Sequence, residues 1–334
     1  MNRHKDLSFS GRRLQIFEPF ELTEQAQEEQ IVFVHPPKTG GTNLSFLATA
    51  WSKTQSGFPV HRFAVPRIEG QSPNLITYGW EGGLAAARES LRCDPLMADD
   101  FRLVSGHFPY GLHEMTGLPT RYVGLIRNPV EREISALNFD YQRGFVDEER
   151  ALIYLNETMI NNPQTRIFAG GTDAFACDSN IDMCDIYDRA RKNIRDNFTF
   201  VAPTSAAFEA AQALAGLCDM PAFAMPRTQV TGVKLITDIS PALRDSLTSR
   251  HLFDDYLFAD GVHFWEEWKS KNVKGTKPPQ DGEKILTLLP DFARTKTPVF
   301  MSREEIEAYN DACDDDLFEQ SQASDTPFFA RDLK

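Results

Sequence analysis

The chain has no run of about 18 apolar residues, the length at which a hydrophobic stretch reads as a membrane-spanning helix. Its first residues, MNRHKDLSFSGRRLQIF, lack the apolar centre and small-residue cleavage site of a secretory signal. The expectation is a cytoplasmic protein with no transmembrane segment. Cysteine is scarce: Cys93, Cys177, Cys184, Cys218 and Cys313 are odd in number and form no CxxC pair or zinc-ligand spacing. They read as reduced thiols with no metal, although Cys177 and Cys184 are near enough in sequence to pair in an oxidising compartment. Basic excess is also missing. With 35 Lys+Arg against 48 Asp+Glu, the formal charge is −13, which excludes a general nucleic-acid or anionic-membrane binder. Internal repeats and long low-complexity blocks are absent.

A hydrophobic fraction of 41% beside a charged fraction of 25% is that of a globular protein. Ile31 to His35 is an apolar, β-branched run without alternation, as expected of a strand buried on both faces of a parallel sheet. Three further strands are expected at Phe101 to Ser105, Arg121 to Ile126 and Thr199 to Ala202. Between and after them, helices are expected after Pro129, over Asp147 to Ile160, Pro163 to Ala169 and Ile186 to Asn197, and beyond Thr204. Ser240 followed by Pro241 marks the start of two more, and from about Lys271 the pattern weakens into Pro-containing, acidic sequence. Strands alternating with helices predict an α/β fold with a central, mostly parallel sheet flanked by helices. Ligands of such a sheet gather at the carboxyl ends of its strands.

The first strand runs into Pro36-Pro37-Lys38-Thr39-Gly40-Gly41-Thr42-Asn43, followed by residues at helical spacing. Two glycines let backbone amides approach an anion. The helix adds unpaired N–H groups and the positive end of its dipole, Lys38 adds charge, and Thr39 and Thr42 add hydroxyls. A phosphate or sulfate ester is the ligand this chemistry suits. The string is not a Walker A loop, because Lys38 precedes both glycines instead of following the second.

His-Pro-Pro-Lys-Thr-Gly-Gly-Thr resembles the 5′-phosphosulfate loop of PAPS-dependent sulfotransferases, particularly the carbohydrate type that includes heparan 2-O-sulfotransferases and their bacterial relatives. The resemblance extends from about Ile31 to Lys269, roughly 70% of the chain by motif spacing. It implies a P-loop-like three-layer fold and divides the chain into an N-terminal extension (1–30), a sulfotransferase domain (31–270) and a C-terminal extension with an acidic tail (271–334). Tyr122-Val-Gly-Leu-Ile-Arg127-Asn-Pro-Val-Glu-Arg132-Glu-Ile-Ser135 is similar to the family's second hallmark. By that likeness Arg127 and Ser135 hold the 3′-phosphate of PAPS, and Arg132 faces solvent without a ligand. Lys38, Thr39, Gly40, Gly41, Thr42 and Asn43 would bind the 5′ side, with Lys234 and Thr231 in a loop over the nucleotide. Asn162-Pro-Gln-Thr-Arg166 is similar to a segment near the family's cleft, where Arg166 is either a site residue or an internal partner.

Ser105-Gly106-His107 occupies the place of a His-Gly-His in heparan 2-O-sulfotransferases, which implies that His107 is the base for the acceptor hydroxyl and Lys38 the catalytic cation. His35 is the competing base, expected to pack beneath the loop; His113, Glu114 and Asp140 follow. The implied reaction is in-line transfer of a sulfuryl group from PAPS to a carbohydrate, glycolipid or small alcohol, releasing adenosine 3′,5′-bisphosphate without a metal. Alternatives are an ATP-dependent small-molecule kinase and a non-catalytic nucleotide-binding interaction protein. The C-terminal arm, with Phe328 and Phe329, offers a route to a homo-oligomer.

Charge sharpens the substrate expectation. Ser302 to Lys334 holds ten acids and three bases, a net −7, so −6 is left for the rest of the chain. The acidity is therefore concentrated away from Lys38 and Arg127, and a neutral or weakly charged acceptor is preferred over a highly sulfated, heparin-like chain.

Overall fold

The computed structural model describes residues 13–23, 29–54, 60–63, 103–107, 109–117, 119–142, 144–153, 155, 161–170, 182–226, 236, 239–280, 282–289 and 297–313. In chain order the strands are β1 (Leu14–Phe17), β2 (Phe20–Leu22), β3 (Gln30–Val34), β4 (Val60–Phe63), β5 (Leu103–Gly106), β6 (Thr120–Ile126), β7 (Phe198–Pro203), β8 (Phe223–Pro226), β9 (Val273–Thr276), β10 (Ile285–Thr287) and β11 (Val299–Met301). The helices are α1 (Thr42–Thr54), α2 (His113–Thr116), α3 (Pro129–Gln142), α4 (Glu148–Ile153), α5 (Pro163–Ala169), α6 (Met183–Asn197), α7 (Ala207–Leu217), α8 (Pro241–Arg250), α9 (Leu252–Asn272) and α10 (Arg303–Asp311).

The unbroken apolar run of β3 reflects its place in the middle of a five-stranded sheet, in the order β4-β5-β3-β6-β7, with every neighbouring pair parallel. Its side chains alternate between two cores. Ile31 and Phe33 join Leu44 and Leu47 of α1, Leu214 of α7 and Trp265 of α9 on one face. Val32 and Val34 join Tyr122, Ile167 of α5 and Ile194 of α6 on the other. Val32, Phe33 and Val34 are wholly buried, each contributing about 1.5–3 kcal/mol of apolar transfer. The architecture is thus α/β, with helices on both faces of a parallel sheet.

The helix ends follow their sequence signals. Ser240 caps α8 by accepting from Leu243 N–H at 3.2 Å, with Pro241 in the first turn. Helix α6 begins three residues before the expected Ile186 because Asp182 caps it, accepting from Cys184 N–H at 2.8 Å. Among its described residues, the weakly patterned stretch after Lys271 contains three short strands and a helix. β8 lies between β1 (antiparallel) and β10 (parallel), β11 flanks β10, and β2 pairs with β9. Ser302 and Glu305 form a reciprocal capping box on α10. Asn310 on that helix holds both backbone polar atoms of Leu14, accepting from its N–H at 2.6 Å and donating to its carbonyl at 2.9 Å. No helix among the described residues is long and apolar enough to cross a membrane. Cys184 is exposed, Cys218 half-buried and Cys313 buried; Cys177, and so its pairing with Cys184, lies outside the described residues, as do Phe328 and Phe329.

Candidate anion-binding site

Chain direction reverses sharply after β3. Thr39 directs both its N–H and its hydroxyl to the carbonyl of Pro36, at 3.3 and 2.8 Å, closing the turn from inside. Lys38 (φ +71°) and Gly40 (φ +83°) take left-handed backbone conformations. For Lys38 that costs of order 1 kcal/mol, which the surrounding contacts must offset. Helix α1 makes its first backbone hydrogen bond from Ser45 N–H to the Gly41 carbonyl, 3.0 Å, so the N–H groups of Thr42, Asn43 and Leu44 have no intrahelical acceptor. No acidic residue stands in that first turn, which leaves the dipole's positive end uncompensated. Gly41 is required sterically: a Cβ there would lie 2.5 Å from Cγ of His35.

His35 accordingly sits beneath the loop, with its ring 4.7 Å from that of Phe33 and 4.3 Å from that of His107. Neighbouring strand ends hold the loop from both sides. After β6, Arg127 Nη1 donates to the Lys38 carbonyl at 3.1 Å. After β7, the hydroxyl of Thr204 reaches the carbonyls of Thr39 (2.9 Å) and Ile126 (3.2 Å). After β5, His107 Nδ1 is 2.9 Å from the His35 carbonyl. A carbonyl only accepts, so Nδ1 carries the proton of neutral His107 and Nε2 is its basic nitrogen. Ser105 is buried and shares a 2.6 Å hydrogen bond with Ser45 of α1.

Lys38 Nζ lies 4.1 Å from the centroid of the Phe139 ring, a cation–π contact. Ser135, half-buried, is one turn before Phe139 on the same face of α3. Arg127 and His107 thus meet the loop, and Ser135 stands on the face of α3 that carries the ring under Lys38. Of the other candidates for the base, His35 lies beneath the loop beside His107, and the remaining three stand elsewhere. His113 Nδ1 pairs with Tyr122 OH at 2.8 Å, Asp140 is wholly buried in α3, and Glu114 is exposed on α2. Arg166 is buried and donates to the carbonyl and side chain of Asn161, at 2.9 and 2.7 Å. Lys234 and Thr231 lie outside the described residues; Ile236 just beyond them is fixed by the side chain of Asn138, which donates to its carbonyl and accepts from its N–H.

Arg132 does not face solvent, contrary to the sequence expectation. It is 3% exposed, paired with Glu133, and aims Nη1 at the Pro37 carbonyl 3.5 Å away. Its i, i+4, i+8 partners on α3 are the buried Ala136 and Asp140, so helix phase carries it inward. Burial lowers its pKa to about 10, with nearby Asp254 opposing and Arg127 adding to the fall. Burial also lowers that of Arg127, against the attraction of Glu131; at 3.8 Å from Nε, Glu131 is too far to hydrogen-bond. Arg127 Nε is buried and has no hydrogen-bond acceptor among the described residues.

Beneath the loop lies a polar layer that the sequence did not reveal. Asn162 Oδ1 accepts from the N–H groups of Phe253 (2.9 Å) and Asp254 (3.1 Å), capping α9. Asp254 in turn caps α5, accepting from Gln164 N–H (3.0 Å), Thr165 N–H (2.6 Å) and the Thr165 hydroxyl (2.7 Å). Complete burial raises the Asp254 pKa, a shift those donors oppose. His251 Nδ1 accepts from Asn162 N–H at 3.1 Å.

No family model matches the chain, and no curated protein matches it.

Proposed function

We propose that the chain is a PAPS-dependent sulfotransferase with a P-loop-like nucleotide site, transferring a sulfuryl group to the hydroxyl of a neutral or weakly charged acceptor such as a carbohydrate, glycolipid or small alcohol. One observation carries this reading. Arg127 and His107 flank a single loop from the two strands either side of β3, each hydrogen-bonded to its backbone. A guanidinium fork and an imidazole base are thereby held across one anion-binding turn.

The residues fit a nucleotide with phosphates at both ends. Gly40, Gly41 and the open amides of Thr42 and Asn43 suit the 5′-phosphosulfate, with Lys38 as the counter-charge. Arg127, with a buried Nε–H that has no acceptor among the described residues, and the Ser135 hydroxyl suit the 3′-phosphate. When bound, PAPS supplies a sulfuryl group on a phosphate leaving group. Nε2 of His107 accepts the acceptor's hydroxyl proton, and the His35 carbonyl stabilises the resulting imidazolium through Nδ1–H. Lys38 and the loop amides offset the negative charge that grows on the leaving oxygen. The acceptor oxygen gains a bond to sulfur as the sulfur–oxygen bond to phosphate breaks.

Thermal shift with adenosine 3′,5′-bisphosphate, compared with ATP plus Mg²⁺, tests the reading. Stabilisation by the bisphosphate is expected, and stabilisation by ATP plus Mg²⁺ alone would point to a kinase instead. Screening acceptor alcohols with radiolabelled PAPS then identifies the acceptor.

A further inference from the structure

Gln164 is fully buried one residue into α5, yet its side chain leaves that helix and spans the backbone of Arg127. Oε1 accepts from Arg127 N–H at 2.9 Å, and Nε2 donates to the Arg127 carbonyl at 2.7 Å. The amide thus satisfies both backbone polar groups of the residue that follows β6, as a neighbouring strand would do. Its own main chain is fixed by the Asp254 carboxylate through Gln164 N–H. Asp254 is held by the opposite end of the same arrangement, because Asn162 caps the helix on which it stands. The reciprocal caps between α5 and α9 therefore fix Gln164, and Gln164 fixes the Arg127 backbone. From that backbone the guanidinium reaches the loop, with Nη1 on the Lys38 carbonyl.

We propose that Gln164 is a positioning residue for the anion site: a buried side-chain amide that sets the place and direction of Arg127 without touching the ligand. The inference rests on the reading of Arg127 as the holder of the nucleotide 3′-phosphate. A guanidinium fork binds phosphate well only when both of its donors are aimed, so loosening its backbone weakens that contact more than the rest of the site, where Thr204 and His107 still hold the loop. Glutamine is the side chain the position demands: it offers one acceptor and one donor at the same reach, whereas glutamate keeps the acceptor and turns a carboxylate oxygen toward the Arg127 carbonyl.

The test compares Gln164→Leu and the isosteric Gln164→Glu with the wild-type chain by calorimetric titration of two ligands, adenosine 3′,5′-bisphosphate and adenosine 5′-monophosphate, which lacks the 3′-phosphate. Both variants are expected to lose about tenfold or more in affinity for the bisphosphate, the scale of one hydrogen bond to a charged group. Affinity for the monophosphate should stay within about twofold, well under the scale of one such bond. In an Arg127→Ala background the same substitutions should cost almost nothing further, because the two residues act as a unit. If Gln164→Leu does not fold, Gln164→Glu, which preserves volume, decides. Equal losses for both ligands, losses that add to that of Arg127→Ala, or wild-type bisphosphate affinity in the folded variants would each overturn the proposal. A wild-type chain that binds neither nucleotide would instead remove the nucleotide reading on which it stands, and the proposal with it.

Discussion

The ammonium of Lys38 lies 4.1 Å from the centre of the Phe139 ring, on the face of α3 that also carries Ser135. A cation over an aromatic ring is held by about 0.5–1 kcal/mol at a partly exposed position. An incoming anion must compete with that contact for the charge. Replacing Phe139 by Leu is expected to raise affinity for adenosine 3′,5′-bisphosphate about two- to fivefold, while Lys38→Ala lowers it about ten- to a hundredfold. Calorimetric titration reads both, and weaker binding by Phe139→Leu would show that the ring supports the bound arrangement.

His107 is expected to separate binding from turnover. Its Nδ1 is occupied by the His35 carbonyl, and the proposed reaction uses it only for proton transfer at Nε2. His107→Ala should therefore bind the bisphosphate as the wild type does and lose about 10²–10⁴ in sulfuryl transfer. Turnover retained in this variant would exclude His107 as the base.

Gly41 and His35 should be coupled. A methyl group at Gly41 would come within 2.5 Å of the His35 ring, which is itself packed on Phe33. Gly41→Ala is expected to destabilise the fold by about 1–3 kcal/mol, the usual cost of overpacking. Adding His35→Ala should recover part of that loss, because it empties the space the methyl group needs. Urea denaturation of the two single variants and the double variant measures the coupling, and simple additivity would contradict it.

Much of this arrangement is legible in the sequence because it is local. The strands β3, β5, β6 and β7 announce themselves as apolar runs buried on both faces, and Gly40-Gly41 after the first announces the turn. What escapes is whatever depends on distant partners. The strands β1, β2, β8, β9, β10 and β11 have three or four residues each, too few for a period, and β1 and β2 find their partners more than 200 positions away. Nothing in Asn162-Pro-Gln-Thr says that Gln164 turns back onto Arg127, since that bond exists only once α5 docks. Arg132 was within reach: helical spacing sets it in line with Ala136 and Asp140, whereas the family likeness alone implied that it faces solvent.

Acid should find a weak point at His251. Burial, reinforced by the nearby Arg132 and Arg250 charges, lowers its pKa to about 3. Glu133 Oε1, already engaged by Arg132, is 3.7 Å from Nε2 and does not rescue the charged form. The unfolded chain takes up a proton near pH 6.5 that the folded chain refuses. Stability from this residue is thus complete above about pH 6.5 and declines toward pH 3, by up to about 1.4 kcal/mol per unit. Asp254, whose pKa is raised, works in the opposite sense as it gains its proton in acid. Between pH 7 and 5.5, His251→Gln should flatten the fall in urea-unfolding free energy by about 1 kcal/mol relative to wild type. An unchanged slope would mean that His251 is protonated in the folded state.

The bond from Asn310 to Leu14 gives the fold a timetable. All five strands of the parallel sheet have been synthesised once residue 203 is made, and each pairs with a neighbour from the same stretch. The turn after β3 can take shape while the remainder is still being translated. β1 and β2, synthesised first, must wait for β8 and β9, and the Asn310 clasp comes later still. Joining the two ends is the non-local, slowly searched step of folding, and until it is complete the edges of β1 and β8 are open to other chains.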